Sequence, residues 1–419
     1  MKKSIEFRKI AALLPIILVA LFMLFPTIRA GAEPVRIGLV PSLRVQEEWT
    51  SNAFNSASNE VSSLATRINP SLGLIMTSAD NVSVQISGSY EKVWHHDRDA
   101  RKADYDTWNI RVNSTGEWAF SPNFTVRPSV YFINTEESGR RAAFVPVHDP
   151  ILSPISAITY SNVKRQSSGT AMNFVYRISP VLDTNLRVNH STEHFRQKSD
   201  TSAGGFGPTD SSQTDLRVGF SYAFSPLARA GLFAQASLVN FRDFPDAQIY
   251  SMGAACSYQF TQFLQFFMDA GVSHVVRDSE SGSGSGSNKT GTMGMIRLQY
   301  DDNTFKATLF GTTTYSGGSG YWGITQEYRV GALISQQFST SISGSLSGYY
   351  QLSKSAQGNA VDIDTTNASA TLAYRPWEIV SVYIRGIAEN QKSHGVFGST
   401  IENYTVVLGI SLSKIHNIY

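Results

Sequence analysis

From residue 35 onward, apolar and polar side chains alternate with a period of two, and no helical stripe competes with that pattern. Trp108, Ile110, Val112, Trp118 and Phe120 share one parity, while Asn109, Arg111, Asn113, Thr115 and Glu117 occupy the other. The pattern repeats at Leu216, Val218, Phe220, Tyr222 and Phe224, and again at Tyr250, Met252, Ala254, Cys256, Tyr258 and Phe260. Near the end it returns at Tyr404, Val406, Leu408, Ile410 and Leu412. Each run holds about ten residues, the length a tilted strand needs to cross a hydrocarbon layer.

The connections fall into two kinds. Short ones, often carrying Pro and flanked by aromatics, occur at Phe120-Ser121-Pro122-Asn123-Phe124, Ile178-Ser179-Pro180 and Phe224-Ser225-Pro226. Others follow at Phe260-Thr261-Gln262-Phe263, Tyr300-Asp301-Asp302-Asn303, Phe338-Ser339-Thr340 and Tyr374-Arg375-Pro376-Trp377. Longer polar stretches rich in Gly and Ser lie between them, over residues 95–104, 135–168, 197–213, 278–289, 316–323 and 391–402. The alternation of short and long predicts hairpins stacked side by side, with tight turns at one end and loops at the other. Counting segments gives about 18 strands, an even number that places both termini on the short-turn side; 16 or 20 also fit, because residues 47–78 and the region of Phe233 are ambiguous.

Which face meets solvent decides the class. A closed barrel of this many strands is too wide for side chains to fill, so an apolar face turned inward would enclose a void. Turned outward into lipid, the same face is stable, and the closed ladder satisfies every backbone group. Aromatics gather at both strand ends. Phe124, Phe224, Phe260, Phe263, Tyr300, Phe338, Tyr374 and Trp377 lie by the short turns, and Tyr90, Trp94, Tyr105, Trp108, Phe132, Phe241, Tyr315, Tyr350 and Tyr404 lie nearer the loops. The expectation is an all-β chain: a single closed antiparallel transmembrane β-barrel over residues 33–419.

Composition agrees. Only 16% of the residues are charged, and a lone cysteine, Cys256, excludes a disulfide scaffold. Lys2, Lys3, Arg8 and Lys9 precede an apolar run over residues 10–25 and an Ala30-Gly31-Ala32 exit, so residues 1–32 read as a cleaved signal peptide. Cleavage removes five basic residues, those four and Arg29, against Glu6 alone, turning a formal charge of +2 into −2. That balance leaves no footprint for nucleic acid.

With the apolar parity outward, the opposite parity faces the lumen. It carries Arg36, Arg44, Arg111, Arg127, Arg177, Arg187, Arg217, Arg297, Lys306, Arg329 and Arg385, with Glu117 and Glu327 as the clear acids. Two readings stand side by side. The cations concentrate anions in a low-dielectric pore, or they brace the wall by pairing with loop carboxylates such as Glu136, Glu137 and Asp149. The connection 135–168 is too long for a turn and holds Arg140, Arg141, His148 and Asp149. It either folds inward as a constriction or caps the surface.

Other constellations carry less. His95-His96 with Asp97 and Asp99 has metal-ligand residue types, but neighbours in a strand point to opposite faces. The Ser-Gly repeat over residues 281–287 lacks the ending of a phosphate loop. No nucleophile elbow is present, so the chain does not read as an enzyme and calls for no cofactor.

The segments Val35-Arg36-Ile37-Gly38-Leu39-Val40-Pro41-Ser42-Leu43, Arg67-Ile68-Asn69-Pro70-Ser71-Leu72 and Pro128-Ser129-Val130-Tyr131-Phe132 resemble Gram-negative outer-membrane barrels of the β-barrel porin 2 type. The resemblance implies an outer-membrane barrel of the kind found beside exopolysaccharide and exosortase loci, with lipid, lipopolysaccharide and the barrel assembly machinery as partners. The usual terminal assembly signal is altered. Tyr419 is aromatic, but the apolar parity of residues 404–412 breaks at Lys414, so a bulge shifts the register or the strand ends and a tail follows. The leading functional expectation is a porin-like channel for small hydrophilic or anionic solutes. The alternatives are a barrel serving polysaccharide export or a cytochrome electron conduit, and a structural or adhesive barrel with a plugged lumen. Lacking Cys-x-x-Cys-His, the chain leaves any haem to a partner.

Overall fold

The computed structural model describes residues 36–53, 60–77, 83–115, 118–135, 163–197, 210–242, 245–277, 288–316, 324–355, 362–394 and 399–417. Residues 1–32, expected as a signal peptide, Glu117 and the residues Arg140, Arg141, His148 and Asp149 lie outside them. The strands in chain order begin with β1 (Arg36–Thr50), β2 (Ser63–Thr77), β3 (Ser83–His95), β4 (Tyr105–Thr115), β5 (Trp118–Ser121), β6 (Phe124–Thr135) and β7 (Val163–Ser179). Next come β8 (Leu182–Gln197), β9 (Ser211–Ser225), β10 (Ala228–Phe241), β11 (Ala247–Gln259), β12 (Leu264–Arg277), β13 (Lys289–Asp301) and β14 (Phe305–Ser316). The last are β15 (Thr325–Gln337), β16 (Ile342–Ser355), β17 (Asp362–Trp377), β18 (Val380–His394), β19 (Ser399–Ser413) and β20 (His416–Asn417).

All belong to one sheet in which chain neighbours pair antiparallel. β4 and β5 both run along β6, and β19 and β20 both run along β1, so the wall has 18 staves. The β1–β19 ladder, from Ser42–Ser413 to Thr50–Thr405, closes it. Closure removes the free edges that a strand of this length would otherwise expose.

The tight turns share one chemistry. Ser179, Ser225, Thr261, Asp302 and Ser339 each open a turn and accept backbone N–H bonds from the residues just beyond, as from Leu182 (3.1 Å), Leu264 (3.0 Å) and Phe305 (2.6 Å). In two of these turns a Pro follows the Ser, fixing φ where no N–H is needed.

Three boundaries differ from the sequence reading. β7 starts at Val163, β9 at Ser211 and β19 at Ser399, so the loops after residues 135, 197 and 394 are shorter than expected. The sequence of these strand ends is mostly polar in both parities, which leaves periodicity without contrast. At the C-terminus the ladder pauses after Ser413 and resumes at His416–Leu39 in unchanged register, so no bulge intervenes.

The outer surface carries the apolar parity. Phe224 is 69% exposed, Leu232 68% and Trp377 68%, and Leu408 and Val330 stand clear of the wall in the same way. Tyr222–Phe224 and Tyr258–Phe260 form edge-to-face pairs at 4.9 Å beside the short turns. Trp49, Trp94, Tyr350 and Tyr404 are exposed toward the loop end. Phe132, Phe241 and Tyr315, expected in that second belt, are instead buried. Phe132 lies against Trp108, ring centroids 5.0 Å apart, and Phe241 and Tyr315 join an interior apolar cluster.

Candidate functional site: the barrel interior

Contacts that skip strands identify the concave face. Arg217 on β9 meets Asp269 on β12 at 2.8 Å, passing over two intervening strands, which only side chains inside the curve can do. Arg229 on β10 likewise reaches Asp183 on β8 at 3.0 Å. Carried around the ladders, this parity places Arg36, Arg44, Arg127, Arg177, Arg187, Arg297, Lys306, Glu327, Arg329 and Arg385 on the same inner face as Arg217. Arg111 occupies an inward register position through its pairing with Ser87 and Tyr131.

Several of these arginines lie flat on inward aromatic rings. Arg217 sits 4.0 Å from the centroid of Phe233, Arg297 4.4 Å from Phe267, and Arg329 5.5 Å from Tyr349. Such stacking holds a guanidinium while leaving its charge in force. Inward aromatics in turn lie over glycines. A Cβ on Gly253 would meet Phe233, one on Gly331 would meet Phe310, and one on Gly409 would meet Tyr383. The missing side chain lets the ring lie along the wall. Alternation predicts polar inward positions, so these rings were not expected there.

Acids on the inner face are more numerous than Glu117 and Glu327 suggested. Glu48, Glu91, Asp183, Asp269 and Glu389 share it, and Asp183 and Asp269 pair with wall arginines. Among the described residues this bracing comes from acids on other strands of the wall, while the loop acids named for it fall outside the described residues. Among the described residues, inward cations still outnumber inward carboxylates.

The most buried charge cluster was also missed. Arg67 binds Glu48 at 2.6 Å and Glu91 at 3.1 Å, with side-chain exposures of 7%, 5% and 18%. It borders a cavity of about 990 Å³ that runs along β17–β19 and β1–β4. Arg44, Tyr383 and Arg385 line its middle, Arg375 and Lys414 its short-turn end, and Ser42, Ser71, Ser87, Ser89 and Ser411 supply hydroxyls throughout. Tyr383 accepts a hydrogen bond from Gln46 across β19. The cavity offers cations and hydroxyls together, the groups that replace the hydration shell of a small anion.

His95 is buried against Asp104 at 3.1 Å, whereas His96 faces outward to Thr66 and Glu47. Among the described residues no three His, Cys, Asp or Glu side chains meet as a metal site.

No protein-family model and no curated protein sequence matches the chain. Similar solved structures include Pseudomonas aeruginosa OpdK with vanillate, at 11% identity and a TM-score of 0.42, covering 90% of this chain and 99% of that one. Acinetobacter baumannii OccAB3 gives 11% and 0.42 with coverages of 91% and 99%. P. aeruginosa OccK2 (OpdF) in complex with glucuronate gives 11% and 0.42 with 90% and 98%.

Proposed function

We propose that the chain is exported by residues 1–32, spans a Gram-negative outer membrane, and forms a water-filled passive channel for small hydrophilic solutes in which anions are favoured. One observation carries the reading. A single closed sheet sets exposed Leu, Phe and Tyr on its convex face and arginines on its concave face, residue by residue in alternation. Hydrocarbon outside and water inside is the pairing of solvents in which neither face is buried at a loss. Fixed positive charge within a low-dielectric wall then raises the local anion concentration. The reading is transport, without catalysis or cofactor. Lipopolysaccharide and the barrel assembly machinery are the partners it requires.

The resemblance of the Val35–Leu43 segment and its companions to the β-barrel porin 2 type supports a further placement beside surface-polysaccharide export. Co-purification with periplasmic export components tests that placement, and purification alone under native conditions contradicts it.

Purified protein in planar bilayers tests the channel. A salt gradient should give a reversal potential displaced toward the anion. A closed membrane, or displacement toward the cation, contradicts the reading.

A further inference from the structure

The seam between β13 and β14 is left unzipped at its loop end. β12 pairs β13 as far as Val275–Lys289, and β14 pairs β15 as far as Ser316–Thr325, but between β13 and β14 the ladder stops at Gly294–Thr313. Residues 289–293 and 314–316 therefore run beside one another without strand pairing. A side-chain bond, from Thr313 Oγ1 to the Thr292 carbonyl at 3.4 Å, spans the start of the gap.

Beyond the gap the end of β14 departs from the barrel. Regular alternation from Leu309 would set Tyr315 on the outer surface, yet Tyr315 is 5% exposed. It belongs to one buried cluster with Val239, Phe241, Ala247, Ile249, Val275 and Ile324. The first five sit on the inner parity of β10–β12, so contact with them requires a path across the inside of β13. Gly291 permits it, because a Cβ there would strike the Tyr315 ring and hydroxyl. Ser316, Thr325, Gln326 and Glu327 are buried too, so successive residues on both faces are covered. A stretch of wall hides only one face. Residues 315–316 and 324–327 thus turn inward at the loop-side mouth.

We propose that this end of the β14–β15 hairpin is a gate, with residues 314–316 and 324–327 as the moving part. Docked on the β10–β12 ledge, it narrows the mouth. Released, β14 rejoins β13 in the register already set by their ladder, Met293 opposite Thr314, Thr292 opposite Tyr315 and Gly291 opposite Ser316, and Tyr315 returns to the lipid-facing surface. The two states trade apolar burial of Tyr315 and Ile324 against strand hydrogen bonds. Among the described residues the docked Tyr315 hydroxyl has no hydrogen-bond partner, a penalty that keeps docking from dominating. The gate rests on the channel reading for its effect, but the movement does not.

The test is a Met293→Cys, Thr314→Cys pair in a Cys256→Ser background, at positions that are unpaired here, become a facing pair in the rezipped state and then lie within disulfide reach. Oxidation should form the bond and raise mean conductance in planar bilayers about twofold or more by holding the open population, and a reductant should reverse it. Failure of the bond to form, or a bond that leaves conductance unchanged or lowered, overturns the gate. Tyr315→Ala gives a second readout: open dwell times should lengthen, and unchanged dwell times count against the proposal. A parent protein with no conductance would sink the channel reading, while the disulfide would still report whether the hairpin moves.

Discussion

Arg67 is clamped between Glu48 and Glu91 in a part of the wall where water hardly reaches. Truncating it leaves two carboxylates facing each other without a cation, so Arg67→Ala should destabilise the folded barrel by about 3–5 kcal/mol, as loss of one partner of a buried pair does. Urea unfolding followed by tyrosine and tryptophan fluorescence reads this directly, and an unchanged midpoint contradicts it. Arg44 and Arg385 face the open cavity instead, where their charge acts on solute more than on the wall. At water-like dielectric a charge at ~4 Å is worth about 1 kcal/mol, so neutralising either residue should lower local anion occupancy about fivefold, raise that of a cation by a similar factor, and reduce the anion-over-cation preference accordingly. Reversal potentials of Arg44→Gln and Arg385→Gln check this; ratios equal to the parent would return both residues to a bracing role. These two were legible in the sequence because the alternation around them is unbroken. Arg67 was not, since Thr66 and Pro70 interrupt the apolar parity of β2 and the ladder to β3 skips Asn69 and Pro70. Glu48 follows Glu47, and only the β1–β2 register reveals which of the two acids turns inward.

At the scale of an element, the strands behave as two-faced ribbons. In β19, Leu408 is 56% exposed on the convex side, while Ser411 borders the cavity. Arg at position 408 should cost about 2–4 kcal/mol, the range for a cation near the bilayer midplane, whereas Ser411→Arg should be tolerated. Heat resistance of the folded band in detergent gels separates the two, and equal sensitivity contradicts the face assignment. The β13–β14 turn hangs on Asp302, whose carboxyl is held below the usual carboxylate range, chiefly by the backbone N–H groups of Phe305 and Thr304. A depressed folded value means that its support is present above the unfolded value and fades as pH falls through the folded one. Asp302→Ala should therefore weaken the barrel at neutral pH and match the parent in strong acid; a pH-independent difference would point elsewhere. Turn positions were readable because Ser, Thr, Asp and Pro announce them. Strand ends such as residues 163–168 were not, because polar residues fill nearly every position in both parities and the period loses its amplitude.

For the whole molecule, closure turns a local alternation into two continuous surfaces. β1 meets β19 and closes the ladder, so one parity error anywhere would turn arginine onto the apolar outer face. The strand number and the orientation of the faces followed from counting turns and asking which face could fill the interior. The aromatic lining at Phe233, Phe310 and Tyr383 and the inward hairpin end did not follow. They depend on a glycine standing beside a ring on the next strand, a relation between distant residues that periodicity along one strand does not contain.

The most direct measurement places single spin labels at successive positions 404–412 of β19, in otherwise cysteine-free protein reconstituted in bilayers. Accessibility to oxygen, which concentrates in lipid, should peak at even positions and accessibility to a soluble nickel chelate at odd ones, alternating without a break. The same two reagents reporting the opposite phase, or no period of two, would contradict the account.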